Sequence, residues 1–148
     1  MNPPRPLILL VEDNPNDVRL ALHAFKQVNP DYQIQVVRDG VEALDYLFGL
    51  GAYAHLTAAD KPTLILMDIK LPRVDGIEVL RVIKADERTR NIPVVMLTSS
   101  REERDIVESY RLGVNSYIVK PVDFDQFTQA LGLLGKYWIS LNNPPVSA

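Results

Sequence analysis

The stretch Thr63-Leu64-Ile65-Leu66-Met67-Asp68 runs apolar without alternation and then breaks on a carboxylate. A strand with one face in water alternates apolar and polar side chains. An unbroken apolar run instead reads as a strand covered on both faces of a parallel sheet. Leu7-Ile8-Leu9-Leu10-Val11 upstream and Pro93-Val94-Val95-Met96-Leu97 downstream share this character. Ile34-Gln35-Val36-Val37 and Ser116-Tyr117-Ile118-Val119 are further runs of strand length.

Helix signals fill the intervals. Asn14-Pro15-Asn16-Asp17 offers a cap, a proline at the first helical position and an acid in the first turn. Asp39-x-x-Glu42, Asp75-x-x-Glu78, Ser100-x-x-Glu103 and Asp123-x-x-Gln126 resemble capping boxes and predict four more helix starts. The stripes Val18, Leu22, Phe25 and Phe127, Leu131, Leu134, Trp138 predict faces turned to a core. Strand and helix therefore alternate five times. Right-handed crossovers then predict an α/β fold, a doubly wound five-stranded parallel sheet of order 2-1-3-4-5. The stretch from Gly49 to Pro62 is longer than a usual connection. It is either a partner-binding loop or a tolerated surface insertion. The proline-rich ends predict one domain over residues 1–148, folded from about 7 to 141, with tails at 1–6 and 142–148.

At 148 residues, with 47% hydrophobic and 24% charged, the chain can bury a sizeable core. That composition excludes a disordered chain, a collagen and a coiled coil. A net charge of −3 lacks the basic field that gripping nucleic-acid phosphates needs. Too few residues follow Trp138 for a helix-turn-helix, so no DNA partner is expected and the output is expected to be a protein–protein contact. With no cysteine, disulfides, thiol nucleophiles and thiolate metal sites are excluded. No apolar run reaches the ~20 residues that span a bilayer, and the start does not read as a signal peptide. No membrane contact is expected, and the cytoplasm is the expected location.

In a sheet of this kind ligands bind outside the carboxyl ends of the strands, at the switch between strands 1 and 3. Strand 1 ends in Glu12-Asp13, strand 3 in Asp68, strand 4 in Thr98-Ser99-Ser100 and strand 5 in Lys120-Pro121. Taken singly, each residue could be a solvated turn acid, a helix cap, a strand-end threonine or a surface lysine. Together they gather three carboxylates, a hydroxyl and an ammonium at one edge. Carboxylates so close repel, and a hard divalent cation relieves the repulsion. Oxygen-only donors and no cysteine point to Mg2+, which keeps several waters and takes only one or two carboxylates. Such an ion can also bind a phosphoryl oxygen, with Lys120 suited to a second and Thr98 to a third. Asp68 is then placed to attack phosphorus as a nucleophile and form an aspartyl phosphate.

These residues resemble the receiver domains of two-component response regulators. The likeness is carried by Val11-Glu12-Asp13, by Leu66 through Asp68-Ile69-Lys70-Leu71-Pro72-Arg73-Val74-Asp75-Gly76, by Val95 through Thr98-Ser99-Ser100, and by Tyr117-Ile118-Val119-Lys120-Pro121. It covers about residues 7–138. The resemblance implies a flavodoxin-like fold and a phosphoryl group passed to Asp68 from phosphohistidine on a sensor histidine kinase. It implies a signalling phosphoacceptor, not a turnover enzyme, that assists its own phosphorylation and hydrolysis. It implies Mg2+ held by Asp13, Asp68 and the backbone carbonyl of Lys70, with Glu12 acting through water. It also implies a Thr98–Tyr117 switch pair and a cis peptide between Lys120 and Pro121. Asn14-Pro15-Asn16-Asp17, Leu71 through Gly76, the stretch around Gly51-Ala52-Tyr53 and Tyr110 through Asn115 resemble the stand-alone regulators of bacterial and cyanobacterial phytochrome kinases. Glu12 stands where many receivers carry aspartate, and Lys70 puts a long cation near the phosphoryl entrance.

Three other readings compete. A haloacid-dehalogenase-like phosphatase uses the same groups, but its nucleophile lies on the first strand and begins an Asp-x-Asp motif, whereas Asp68-Ile69-Lys70 lacks the second acid. A nucleotide-binding module would need a glycine-rich turn after strand 1, where Glu12-Asp13-Asn14-Pro15 would repel a pyrophosphate. A pseudo-receiver would lack some of the chemical residues, all of which are present. On the last helix Leu133 and Tyr137 stand four apart on a second face. Receivers of the resembled family often pair through the last helix and last strand. A homodimer is expected there, with Leu133 and Tyr137 in its interface.

Overall fold

A computed structural model of the chain describes residues 6–57, 60–121 and 123–143. Most of the two expected tails, 1–5 and 144–148, lies outside these residues. Five strands, β1 (Leu7–Val11), β2 (Gln33–Val37), β3 (Leu64–Met67), β4 (Val94–Thr98) and β5 (Ser116–Val119), form one parallel sheet in the order β2-β1-β3-β4-β5. The doubly wound expectation is met, strand for strand.

Five α-helices connect the strands: α1 (Pro15–Val28), α2 (Gly40–Phe48), α3 (Gly76–Ala85), α4 (Glu103–Leu112) and α5 (Phe124–Gly135). Alternate residues of the central strands enter two separate cores. Ile8, Leu10, Leu64, Leu66, Val95 and Leu97 pack with Val18 and Phe25 of α1 and Phe127, Leu131 and Leu134 of α5. On the other face, Leu9, Val11, Ile65, Met67, Val94 and Met96 pack with Ala43 of α2 and Val79, Leu80 and Ile83 of α3. Burial on both faces is why β1, β3 and β4 tolerate no polar residue in mid-strand.

Four caps form as expected: Asn14, Asp39, Asp75 and Asp123 each accept a backbone N–H in the first turn of the following helix. Ser100 does not cap. The fourth helix begins at Glu103, because Ser100 Oγ donates to Asp105 Oδ2 at 2.6 Å and accepts the Glu102 N–H at 3.3 Å. This local turn takes the oxygen that a cap would have used. The last helix also departs from a single α-helical stripe, since Lys136–Leu141 winds as π-helix after Gly135. Trp138 keeps its place, half-buried against the α1–α5 core. No cis peptide bond occurs among the described residues, so the cis Lys120–Pro121 bond is a corrected expectation. The trans form carries the intrinsic preference of an X-Pro bond.

The long connection after α2 is not bare insertion. Gly51–Tyr53 forms a 3-10 turn, and the Tyr53 ring meets Tyr46 edge-on at 5.1 Å. The Tyr53 hydroxyl donates to Glu42 Oε2 at 3.2 Å, and that of Tyr46 to the Asp60 carbonyl at 3.1 Å.

Candidate functional site

Register brings the site together. Val11 lies opposite Met67, and Thr98 opposite Val119, so the residues that follow them emerge side by side at the carboxyl edge. The Asp68 N–H donates to the Val11 carbonyl at 3.0 Å and the Lys120 N–H to the Thr98 carbonyl at 2.8 Å, extending the ladder up to the site residues. The chain then doubles back over Asp68. The Gly76 N–H donates to the Ile69 carbonyl at 2.7 Å, and a Cβ at Gly76 would sit 2.2 Å from the Asp68 carbonyl oxygen. Only glycine permits so close a backbone approach.

Asp68 is buried, and its two oxygens face different partners. Oδ1 accepts the Ile69 N–H at 2.7 Å, and Oδ2 accepts from Lys120 Nζ at 3.0 Å. Glu12 is buried and Asp13 exposed; the three carboxylates can each bring one oxygen within 4.8 Å of the others. All donors are oxygens, which fits a hard divalent cation. Lys70 is exposed, beside Asp68. Thr98 is fully buried at the end of β4, its Oγ1 accepting the Ser100 N–H at 3.3 Å. Tyr117 is half-buried on β5, and its hydroxyl donates to the Ser100 carbonyl at 3.0 Å, which ties the residue after β5's start to the loop that follows β4. Burial, first among the causes, raises the phenol above its ordinary range.

Lys120 balances the acids. Its Nζ donates to Glu12 Oε1 at 2.6 Å, to Asp17 Oδ2 at 2.6 Å and to Asp68 Oδ2 at 3.0 Å. Burial is the largest single effect on the ammonium and works against its charge. The bonds to Asp17 and Glu12, with the fields of Asp68 and Glu12, outweigh it and hold Lys120 above the usual lysine range. For Glu12 the balance falls the other way. Burial exceeds the help from Lys120, and the carboxyl is pushed up to about 7.

Glu12, Asp13, Asp68 and Lys120 thus come together at the carboxyl edge, while Thr98 ends the neighbouring strand with its hydroxyl turned to the Ser100 N–H. Asp17 is a residue that strand-end reasoning missed. It sits one turn into α1, and its helix-start pattern already explained an acid there. Leu133 and Tyr137 lie elsewhere, at 69% and 50% exposure, and line an apolar groove of about 330 Å³ with Ser116, Ile118, Ala130 and Trp138.

Known proteins share this fold. The response regulator receiver domain family matches residues 8–132. The probable methanogenesis regulatory protein FilR2 of Methanothrix harundinacea is 41% identical over 140 residues, which is 94% of this chain and 87% of that protein. Response regulator Rcp1 of Synechocystis is 36% identical over 146 residues, 99% of this chain and 97% of that protein. The structure of Rcp1 in its Mn2+-bound form superposes with a TM-score of 0.88 at 35% identity, covering 95% of this chain and 99% of that one. The phosphorylated cyanobacterial phytochrome response regulator RcpA superposes with a TM-score of 0.90 at 41% identity, covering 96% and 99%. With the acids, the hydroxyl and the lysine gathered at the carboxyl edge of a 2-1-3-4-5 sheet, and with the family matched along most of its length, the chain belongs to the response regulator receiver domain family.

Proposed function

We propose that this protein is a phosphoacceptor that receives a phosphoryl group on Asp68 from phosphohistidine of a phytochrome-like sensor histidine kinase. One observation carries the reading: a buried Asp68 carboxylate with an ammonium 3.0 Å from one oxygen and two further carboxylates beside it. In the transfer an Asp68 oxygen forms a bond to phosphorus, the phosphorus–nitrogen bond breaks, and its electron pair returns to the imidazole. Lys120 neutralises charge on a phosphoryl oxygen, and the Thr98 hydroxyl donates to another once it turns toward the site. Mg2+ is the cation read for the site; Asp13, Asp68, the Lys70 carbonyl and Glu12 would hold it, and bound it would offset the charge of the acids and of the entering group. The exposed Lys70 side chain, two residues after Asp68, stands near the entrance for the water that hydrolyses the aspartyl phosphate, so it sets the lifetime of that state.

Thr98 moving inward frees the Ser100 N–H and shifts the carbonyl that holds Tyr117. Tyr117 therefore follows, and the face of β5 and α5 changes with it. That face, with Leu133 and Tyr137, is the one read as a homodimer interface and protein-binding output, without DNA. With a kinase partner of this class, the protein is read as cytoplasmic. The test is to incubate the full chain and Mg2+ with a panel of autophosphorylated phytochrome-like kinases. One kinase should lose its label to wild-type protein within minutes and not to Asp68→Asn. Retention of label by every kinase would contradict the partner class.

A further inference from the structure

Asp17 lies outside the three-carboxylate cluster, yet it accepts one of the two shortest bonds that Lys120 donates, 2.6 Å against 3.0 Å to Asp68. An ammonium has three protons. Glu12, Asp17 and Asp68 take all three. Lys120 thus has no donor to spare for an anion arriving at Asp68, and one contact must open. The side chains of Glu12 and Asp68 are 4% and 9% exposed, that of Asp17 21%. Releasing the most exposed acid costs the least, because water can take the place of the ammonium. The backbone of Asp17 stays put meanwhile, since its N–H donates to the Asn14 side chain at 3.3 Å in the first turn of α1.

We propose that Asp17 is a positioning residue that holds Lys120 over the crevice in the unmodified protein and competes with the phosphoryl group for that ammonium. The proposal rests on the reading of Asp68 as phosphoacceptor. Asp17 keeps Lys120 ready and charged, but its own charge also repels the entering anion. It therefore lowers the affinity of the site for a phosphoryl group and shortens the life of the modified state.

The experiment uses beryllofluoride, a phosphoryl mimic, added with Mg2+ to the full chain and followed by calorimetry and NMR. Asp17→Asn keeps the shape and an acceptor oxygen and removes the charge, so it should bind the mimic roughly tenfold more tightly. Asp17→Glu, which keeps the charge, should stay close to wild type. In wild-type protein the carboxyl carbon signal of Asp17 should move as the mimic binds, a readout that needs no variant. Equal or weaker binding by Asp17→Asn, or an Asp17 signal that stays still, would overturn the proposal and leave the role of Asp68 intact. Absence of binding to wild type, or equal binding by Asp68→Asn, would instead overturn the reading of Asp68 and this proposal with it.

Discussion

Glu12 is the residue whose chemistry responds to pH near neutrality. Its carboxyl lies at about 7 in the fold and near 4.5 when exposed. Between those values the folded chain holds a proton that the unfolded chain has released, so the contribution of Glu12 to stability is fully present below about 4.5 and is lost as pH rises through 7. The metal-free protein should lose roughly 3 kcal/mol by this route between pH 5 and 8. Urea denaturation across that range checks it: Glu12→Gln should flatten the decline, and an equal decline in the variant would assign it to other groups. Asp13 is exposed beside the same cluster. Asp13→Asn removes one carboxylate of that cluster and, on the proposed reading of the site, should weaken Mg2+ binding about tenfold or more by calorimetry. Lys70→Ala should change the dephosphorylation half-life more than the uptake rate, because its side chain is exposed while its carbonyl survives substitution. At this scale Glu12, Asp68 and Lys120 were legible because each ends an apolar run. Asp17 was not, since a first-turn acid needs no partner to be favoured. Its bond to Lys120 joins α1 to the end of β5, a tertiary contact that local pattern does not encode.

Between β3 and α3 the chain turns back so tightly that the loop and the site share atoms. Gly76 packs against the Asp68 backbone, and a Cβ there would meet the Asp68 carbonyl at 2.2 Å and the Ile69 Cα at 2.8 Å. Gly76→Ala should cost at least about 2 kcal/mol in thermal or chemical unfolding and should weaken metal binding, because backbone must move to admit the methyl. A variant with unchanged stability would mean that this loop adapts freely. Helix starts marked by Asp and Asn were legible, since each such side chain has a vacant N–H within reach. The start of α4 was not. Ser100 fits a cap by sequence, but Asp105 and Tyr117 bind its side chain and carbonyl, and the helix begins two residues later than a Ser100 cap would have it. The π-helical turn after α5 likewise has no sequence signature. There Gly135 lets α5 approach Phe25 of α1, while the Tyr32 hydroxyl reaches Ser140 at 3.2 Å.

The whole molecule separates its chemistry from its apolar outer face. The acids and Lys120 lie at the carboxyl edge of the sheet, whereas Leu133 on α5 and Tyr137 on the π-helical turn after it stand exposed. If that face mediates pairing, sedimentation should show a concentration-dependent monomer–dimer equilibrium. Leu133→Asp and Tyr137→Asp should each weaken it without lowering the melting temperature, and a monomer at every concentration, with or without a phosphoryl mimic, would exclude the dimer. The sheet order was legible because five apolar runs separated by helix starts leave few topologies. The interface is harder to read, since isolated exposed apolar residues are ordinary. Whether Asp68 carries the phosphoryl group is read by intact-mass and peptide analysis after treatment with phosphoramidate and Mg2+. Wild-type protein should carry one acid-labile, hydroxylamine-sensitive phosphate, located at residue 68 and absent from Asp68→Asn; a phosphate of equal yield on Asp68→Asn would rule out Asp68 as the acceptor.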